Sequence, residues 1–384
     1  MSATIVTFAD LGAKKNLKTI DIAPVIDGLV EHAELQRVMC RMQRHAPSYV
    51  HQMVPTFLHY GLKLLEKIIP GFPGRNLEEE LFDIRAARRM KPADVVFFHP
   101  SFFPRTVRAA KNVGAITVGM AVIVHPQTSL RLLQEEHDLL GLTTTEGLKR
   151  SRWSHDRADV AENFDYVIAV SEFIRQSYIE HGYPAERIFV AQNDITISSV
   201  PVVQKKDTIF RVLYVAHTNT LKGLHYLLDA WKMLHLANAE LVIVGGYSTP
   251  VPGPLKDRYA AAIAADPTIV WAGFTKHPQS YYEQASVFVL PSITEGNPRV
   301  IMEAMNAGLP VITTTNAQSI VEDGVSGYIV PIRDVAALAE KINVLYDDEV
   351  LRKTIGTAGR TALQHKKSFA VEVVDIYQKL TERT

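Results

Sequence analysis

Glu295 and Glu303 stand eight positions apart in PSITEGNPRVIMEAMNAGLPVITT, residues 291–314. Carboxylates accept hydrogen bonds from hydroxyls, so two of them near one place suit a ligand that carries several hydroxyl groups. Glu303 interrupts an apolar run of Val300, Ile301, Met302, Ala304 and Met305, where an ionised side chain needs a partner or a wet cleft. Taken alone, it reads equally well as the exposed stripe of an amphipathic helix. Farther upstream, Lys222 closes the segment VLYVAHTNTLKG, residues 212–223. A lysine there can reach a phosphate as a flexible point charge, whereas a merely solvated lysine in a first helical turn opposes the helix dipole. Gly245–Gly246 marks a second tight turn, weak as a signal by itself because turns need glycine for many reasons. In the first half, His99 in VVFFHP and His125 in VIVHP close two apolar runs. Each is either a group facing a cleft or an ordinary polar strand end before a proline.

Such groups need elements to aim them. The glutamate segment follows an apolar strand, Val287–Leu290. After it come a turn-rich loop with Glu295 and Gly296, and a helix start with Asn297 as cap and Pro298 at its first position. The helix runs to about Asn306, and Gly308 terminates it. A helix N-terminus after a parallel strand offers free N–H groups and a positive dipole end. Gly296, Asn297, Pro298 and Arg299 therefore border a place suited to a diphosphate. Short β-branched runs alternate with helical patterns along the chain, which reads as α/β units on parallel sheets. The clearest are Thr4–Phe8, Asp94–Phe98, Ala115–Val124 and Tyr166–Val170, then Phe210–Val215, Glu240–Val244, Thr268–Trp271, Val287–Leu290, Pro310–Thr313 and Tyr328–Val330. Ligands of doubly wound sheets bind outside the carboxyl ends of the strands, and the glutamate, lysine and glycine features all fall there.

Length and composition suit two such domains. The 384 residues carry 41 basic and 41 acidic side chains, so no overall charge points to nucleic acid or an acidic polymer. The single cysteine, Cys40, cannot close an internal disulfide. The N-terminus MSATIVTFADLGAKKN lacks the basic-then-apolar run of a signal peptide, and the uncharged stretch Ala115–Val124 is too short for a bilayer. These features predict a cytoplasmic protein. Residues 196–207, TISSVPVVQKKD, read as a domain boundary, and Phe369–Leu380 as a terminal helix. Between Pro47 and Pro73, Phe57, Leu58, Leu62, Leu65, Ile68 and Ile69 form an apolar stripe, with Lys63, Glu66 and Lys67 off it and further arginines downstream. The ordinary reading is core-packed helices with solvated basic faces; the sharper one is a peripheral membrane surface.

The second half resembles the retaining GT-B glycosyltransferases of family four, whose hallmark is Glu-x7-Glu, matched by Glu295 and Glu303. Five other pieces match in order: the segment ending at Lys222–Gly223, the VIVGG turn, WAGF at Trp271–Phe274, YYEQASVFVLPS, and VEDGVSGYIVP. DYVIAVSEFIRQSYIEHGYPAERIFVAQND is similar to the end of the family's first domain, so the resemblance covers about residues 165–365. It implies two Rossmann-like domains facing each other across a cleft. Residues 1–196 would bind the acceptor and 197–368 the nucleotide-sugar donor, and a helix in 369–384 would pack back on the first domain. By the same resemblance Glu295 contacts the donor sugar and Glu303 the ribose. Lys222 with the amides near Gly296–Arg299 holds the diphosphate, the turn at Gly245 borders it, and Phe274 falls beside the base. His125 aligns with a strand-end histidine near the reacting sugar.

The sequence departs from the family pattern at His217, where arginine is usual, at Asn193–Asp194 in place of Asn-Gly, and at a lone Gly12 in place of a glycine pair. Gly12 and His99 are the candidates on the acceptor side. The expected reaction moves a sugar to a hydroxyl of a saccharide, lipid-linked or small-molecule acceptor. It uses no cofactor beyond the nucleotide sugar, no metal and no nucleic acid, and peripheral contact with the inner face of a membrane goes with it. The rival readings are a sugar-nucleotide epimerase and a non-catalytic partner subunit of the same fold.

Overall fold

A computed structural model of the protein describes residues 2–11, 23–32, 34–43, 48–99, 103–142, 163–195, 205, 207–247 and 251–382. The chain forms two compact units, the first from Met1–Ile123, Asp156–Asp194 and Lys367–Thr384, the second from Val124–His155 and Ile195–Lys366.

In the first unit β1 (Ser2–Leu11), β2 (Glu34–Gln43), β3 (Val50–Gln52), β4 (Val95–His99), β5 (Ile116–Ala121), β6 (Tyr166–Ala169) and β7 (Ile188–Val190) form one parallel sheet in the order β3-β2-β1-β4-β5-β6-β7. Its helices are α1 (Ala23–His32), α2 (Thr56–Ile68), α3 (Gly74–Arg88), α4 (Pro104–Asn112) and α6 (Glu172–Ile179). In the second unit β8 (Phe210–Val215), β9 (Ala239–Val244), β10 (Ile269–Gly273), β11 (Val287–Leu290), β12 (Val311–Thr314) and β13 (Gly327–Val330) form a parallel sheet in the order β10-β9-β8-β11-β12-β13. Its helices are α5 (Pro126–Leu139), α7 (Leu224–Leu234), α8 (Gly253–Ala265), α9 (Gln279–Gln284), α10 (Arg299–Asn306), α11 (Val335–Asp347) and α12 (Glu349–His365). Strands covered on both faces must be apolar throughout, and all of β4, β11 and β12 is buried. Each sheet reverses its strand order once, between β1 and β4 and between β8 and β11, and each reversal opens a crevice at the carboxyl ends of those strands.

Several elements differ from the sequence reading. Strand β5 ends at Ala121, its last pairing with Ala169, rather than running to Val124. Beyond it the chain leaves the sheet, and the segment from Val124 through α5, expected in the first domain, packs in the second unit. A buried carboxylate on α5, Glu136, ties it there through side-chain partners that all lie in that unit. One other unit edge, at 194–195, falls close to the expected boundary, while residues 196–204 and 206 lie outside the described residues.

The terminal helix α13 (Phe369–Thr381) belongs to the first unit, where Phe369, Val373, Ile376, Tyr377 and Leu380 share a core with Ile5, Val38, Phe97 and Ile168. Asp194 accepts from the Phe369 N–H at the first turn of this helix, and Glu372 accepts from the Gln192 N–H at 3.0 Å. Asp194, which stood out only as a departure from the family pattern, thus ties α13 down. Helix α2 overturns the core-packed reading of its stripe: only His59 and Leu62 are buried, while Phe57, Leu65, Ile68 and Ile69 are exposed.

Candidate functional site

The crevice between β8 and β11 brings Lys222 and Glu295 together. Leaving β8, the chain makes a single 3-10 turn, Thr220–Lys222, opened by Asn219, whose side chain accepts from the Leu221 N–H at 2.9 Å. Gly223 follows with φ 68°, and a Cβ there would lie 2.0 Å from the Pro291 carbonyl oxygen. Only glycine lets this turn dock against the loop leaving β11. The Ile293 N–H then donates to the Leu221 carbonyl at 2.8 Å. The docking brings Lys222 Nζ into an ion pair with Glu295 Oε1, and Ser292 Oγ donates to the same oxygen at 2.8 Å. Both charged side chains are partly buried, 25% and 11% exposed.

A second junction joins the loops after β8, β9 and β10. Gly245 has φ 133°, and a Cβ on it would sit 1.9 Å from the Ala216 carbonyl oxygen. Its N–H donates to Gly273 at 2.8 Å, and the Thr218 N–H donates to Gly246 at 2.9 Å. This zipper places the His217 ring in a stack on Phe274, centroids 5.5 Å apart and planes 22° from parallel. Phe274 is 60% exposed, so the pair makes an open aromatic shelf at the sheet edge. Aromatic faces of this kind suit stacking with a flat ring.

Glu303 lies on α10, half-buried, and accepts from the Tyr282 hydroxyl at 2.9 Å. Burial, and then the Glu303 charge, push the Tyr282 phenol well above its ordinary value, so it stays a neutral donor. The helix start differs from the sequence reading. Pro298 is the cap, α10 begins at Arg299, and Asn297 is buried with its side-chain oxygen accepting from Ser319 Oγ at 2.5 Å. The asparagine is drawn away from capping by that serine on the loop after β12. Gly296 lies in the loop between Glu295 and the cap, and Gly308, φ 78°, ends the helix. A helix start leaves N–H groups without partners inside the helix, a setting that favours anions, and α10 starts just after the loop that carries Glu295.

His125 does not end a strand. It is the cap of α5, with Pro126 in the first turn, and its Nδ1 accepts from the Gln127 N–H at 3.3 Å. With Nδ1 accepting, the neutral ring carries its proton on Nε2. Helix α5 packs against the Thr220–Lys222 turn. Glu136, fully buried, fixes it: His225 Nε2 lies 2.8 Å away, the Tyr226 hydroxyl donates at 2.7 Å, and Arg333 Nε donates at 2.9 Å. Burial by itself would raise the Glu136 carboxyl; the bonds from His225, Tyr226 and Arg333 outweigh it and hold the group below the usual carboxylate range. Arg333 sits at φ 68°, a conformation that is costly for a side chain with a Cβ, and also bonds Glu135 at 3.1 Å.

In the first unit, His99 ends β4, paired with Thr7 of β1 and buried, at that sheet's own reversal point. Gly12 lies outside the described residues. The sequence reading missed Ser292, Tyr282 and Glu136. Ser292 stood three positions before Glu295 and was legible as a turn hydroxyl. The other two bond residues 21 or more positions away, which no local pattern reports.

This architecture is the GT-B fold: two Rossmann-like parallel-sheet domains. Over 100% of this chain and 100% of the other, it matches the crystal structure of Anabaena Alr3699/HepE in complex with UDP, at a TM-score of 0.66 and 17% identity. The lipopolysaccharide outer core galactosyltransferase WaaB matches over 99% and 100%, at 0.65 and 15% identity. Residues 209–348, which contain His217, Lys222, Gly245, Phe274, Glu295 and Glu303, match the sequence family described as glycosyl transferases group 1. Among curated proteins, the capsular polysaccharide biosynthesis glycosyltransferase CapM of Staphylococcus aureus is 34% identical over 220 residues, which are 53% of this chain and 57% of CapM. The chain thus spans little more than half the length of that relative.

Proposed function

We propose that this protein transfers a sugar from a nucleotide-diphosphate sugar to an acceptor hydroxyl, with retention of anomeric configuration, in the assembly of a polysaccharide or related glycoconjugate. The observation that carries this is the meeting of Lys222 and Glu295, from loops 73 positions apart, at the strand-order reversal beside the start of α10. A lysine and a carboxylate held against each other offer one site for phosphate and one for hydroxyls, and each neutralises the other until a ligand separates them. HepE, solved with UDP, and CapM, named for capsular polysaccharide, support the substrate classes.

Lys222 and the α10 amides then hold the diphosphate, Glu295 the sugar hydroxyls, Glu303 the ribose, and the His217–Phe274 shelf the base. As the bond from the anomeric carbon to phosphate oxygen breaks, charge grows on the diphosphate, and a fixed cation with a helix N-terminus offsets it. The acceptor oxygen bonds to the same carbon face, and its proton passes to the departing phosphate. His125, with its proton on Nε2, donates to a sugar hydroxyl and serves no role as a base. The acceptor is a saccharide, lipid-linked or small-molecule hydroxyl bound by the first unit, with His99 and Gly12 on that side, and the reaction takes place in the cytoplasm or at the inner face of a membrane.

Lys222 and the helix end supply the positive charge, so activity persists in EDTA; loss on chelation with rescue by manganese or magnesium would contradict this. The carboxylates of Asp347 and Asp348 already accept from Asn343 and the Leu351 N–H, both at 2.8 Å. The direct test is a thermal-shift screen of UDP, GDP, ADP and dTDP with their sugar conjugates. A ligand at 100 times its Kd adds about 2.7 kcal/mol of stability, and a flat response to all of them overturns the proposal.

A further inference from the structure

The exposed face of α2 is the reverse of what burial of apolar surface would select. Phe57, Tyr60, Leu64 and Ile68 follow one another at helical spacings of three and four, so they lie along one line of the helix. Phe57 is 80% exposed and Ile68 65%, and Leu65 and Ile69 widen the line. Isolated exposed apolar residues are ordinary, but a contiguous stripe marks a contact surface.

The charges beside it decide what that contact is. Lys63 and Lys67 project along one edge of the stripe, and neither has an ion-pair partner among the described residues. The only carboxylate on the helix, Glu66, is turned to another face, where it accepts from the Arg75 N–H at 2.8 Å at the start of α3. Of the basic side chains downstream, Arg105 pairs with Glu80 at 2.6 Å and Lys111 with Asp165 at 3.2 Å. The rim of the stripe is therefore positive. A second copy meeting it about a two-fold axis would bring the same face, which holds no carboxylate for those lysines.

We infer that the α2 face docks this protein on an anionic lipid surface. The apolar line enters the boundary between headgroups and acyl chains while Lys63 and Lys67 reach lipid phosphates, the arrangement by which amphipathic helices lie in a membrane plane. No helix among the described residues is long and apolar enough to cross a membrane, so the attachment is peripheral. The inference extends the membrane-face reading of the proposed function. Vesicle binding needs no nucleotide, so it can fail while donor binding stands, and the reverse.

The experiment is co-sedimentation of the full chain with vesicles containing phosphatidylglycerol and with pure phosphatidylcholine vesicles, at low and high salt. Wild type should bind the anionic vesicles more tightly and lose part of that affinity in high salt. Replacing two exposed apolar side chains, Phe57→Ser with Ile68→Ser, should weaken binding by tenfold or more. Lys63→Glu with Lys67→Glu should weaken it by about fivefold per lysine removed and abolish the salt dependence. All four positions are exposed, so melting temperatures should not move. Absence of binding to anionic vesicles at low salt overturns the inference, as does equal binding by Phe57→Ser/Ile68→Ser. Light scattering covers the second copy: a wild-type dimer that these substitutions dissociate, without vesicle affinity, would also overturn it.

Discussion

The two sheets share one strand order and differ in what they do with it. At the β8/β11 reversal the second unit closes its loops on each other through Gly223 and the Lys222–Glu295 pair, with Gly245 closing the neighbouring loops after β8, β9 and β10. At the β1/β4 reversal the first unit offers His99 at the end of β4. Topology places a crevice in both; among the described residues, the second has a charged pair, Lys222 and Glu295, fixed at its mouth. The division of labour we propose would have one unit hold a constant ligand part, a nucleotide diphosphate, and the other an acceptor of variable shape.

The largest expected effect lies beneath the second crevice. Glu136→Gln removes the charge that holds His225, Tyr226 and Arg333, and losing one partner of a buried pair costs about 3 kcal/mol or more. Urea unfolding of the variant should show it, and a loss below about 1 kcal/mol would mean α5 is held by its apolar contacts alone. Because the folded Glu136 carboxyl is depressed, its stabilisation is complete above the unfolded value, near 4.3, and is lost as pH falls through the lower folded value. The acid limb of the stability curve should therefore flatten in Glu136→Gln.

A pair of glycines sharpens the comparison. Gly223 in the second unit and Gly114 in the first both have positive φ, 68° and 82°, but only at Gly223 would a Cβ strike backbone. Alanine at Gly114 should cost about 1 kcal/mol, the backbone term alone, and at Gly223 about 1–3 kcal/mol more. Equal melting temperatures for the two variants would show that the Lys222 turn is not pinned as described. The smallest effect is at the shelf. His217→Arg should tighten nucleotide diphosphate binding by less than tenfold, since a guanidinium forks onto phosphate and still stacks on Phe274; a large loss of affinity by calorimetry would show that the stack itself matters more than the charge.

The donor half was legible because its chemistry is local. Strand, turn glycine, lysine and glutamate fall in short ordered runs, so α/β class, the strands from Phe210 onward and the grouping of Lys222 with Glu295 could be read before any coordinates. What escaped was set by distant partners. Asn297 is recruited by Ser319 rather than capping α10, and α5 packs in the second unit, where Glu136 finds His225 and Arg333. The α2 stripe was legible as a stripe, but its exposure was not, because periodicity identifies an apolar face and not whether anything covers it.

Glu303 meeting the nucleotide is the part of the proposed donor site that a single substitution tests most directly. Glu303→Gln keeps the shape and can still accept from Tyr282, but offers a ribose a neutral oxygen in place of an ionised one. Hydrogen bonds to charged groups contribute about 1.5–3 kcal/mol, so calorimetric titration with the nucleotide that gives the largest thermal shift should show a tenfold or greater loss of affinity. The ligand-free melting temperature should stay nearly unchanged. Wild-type affinity in Glu303→Gln would contradict the assignment and, with it, the donor site at the β8/β11 crevice.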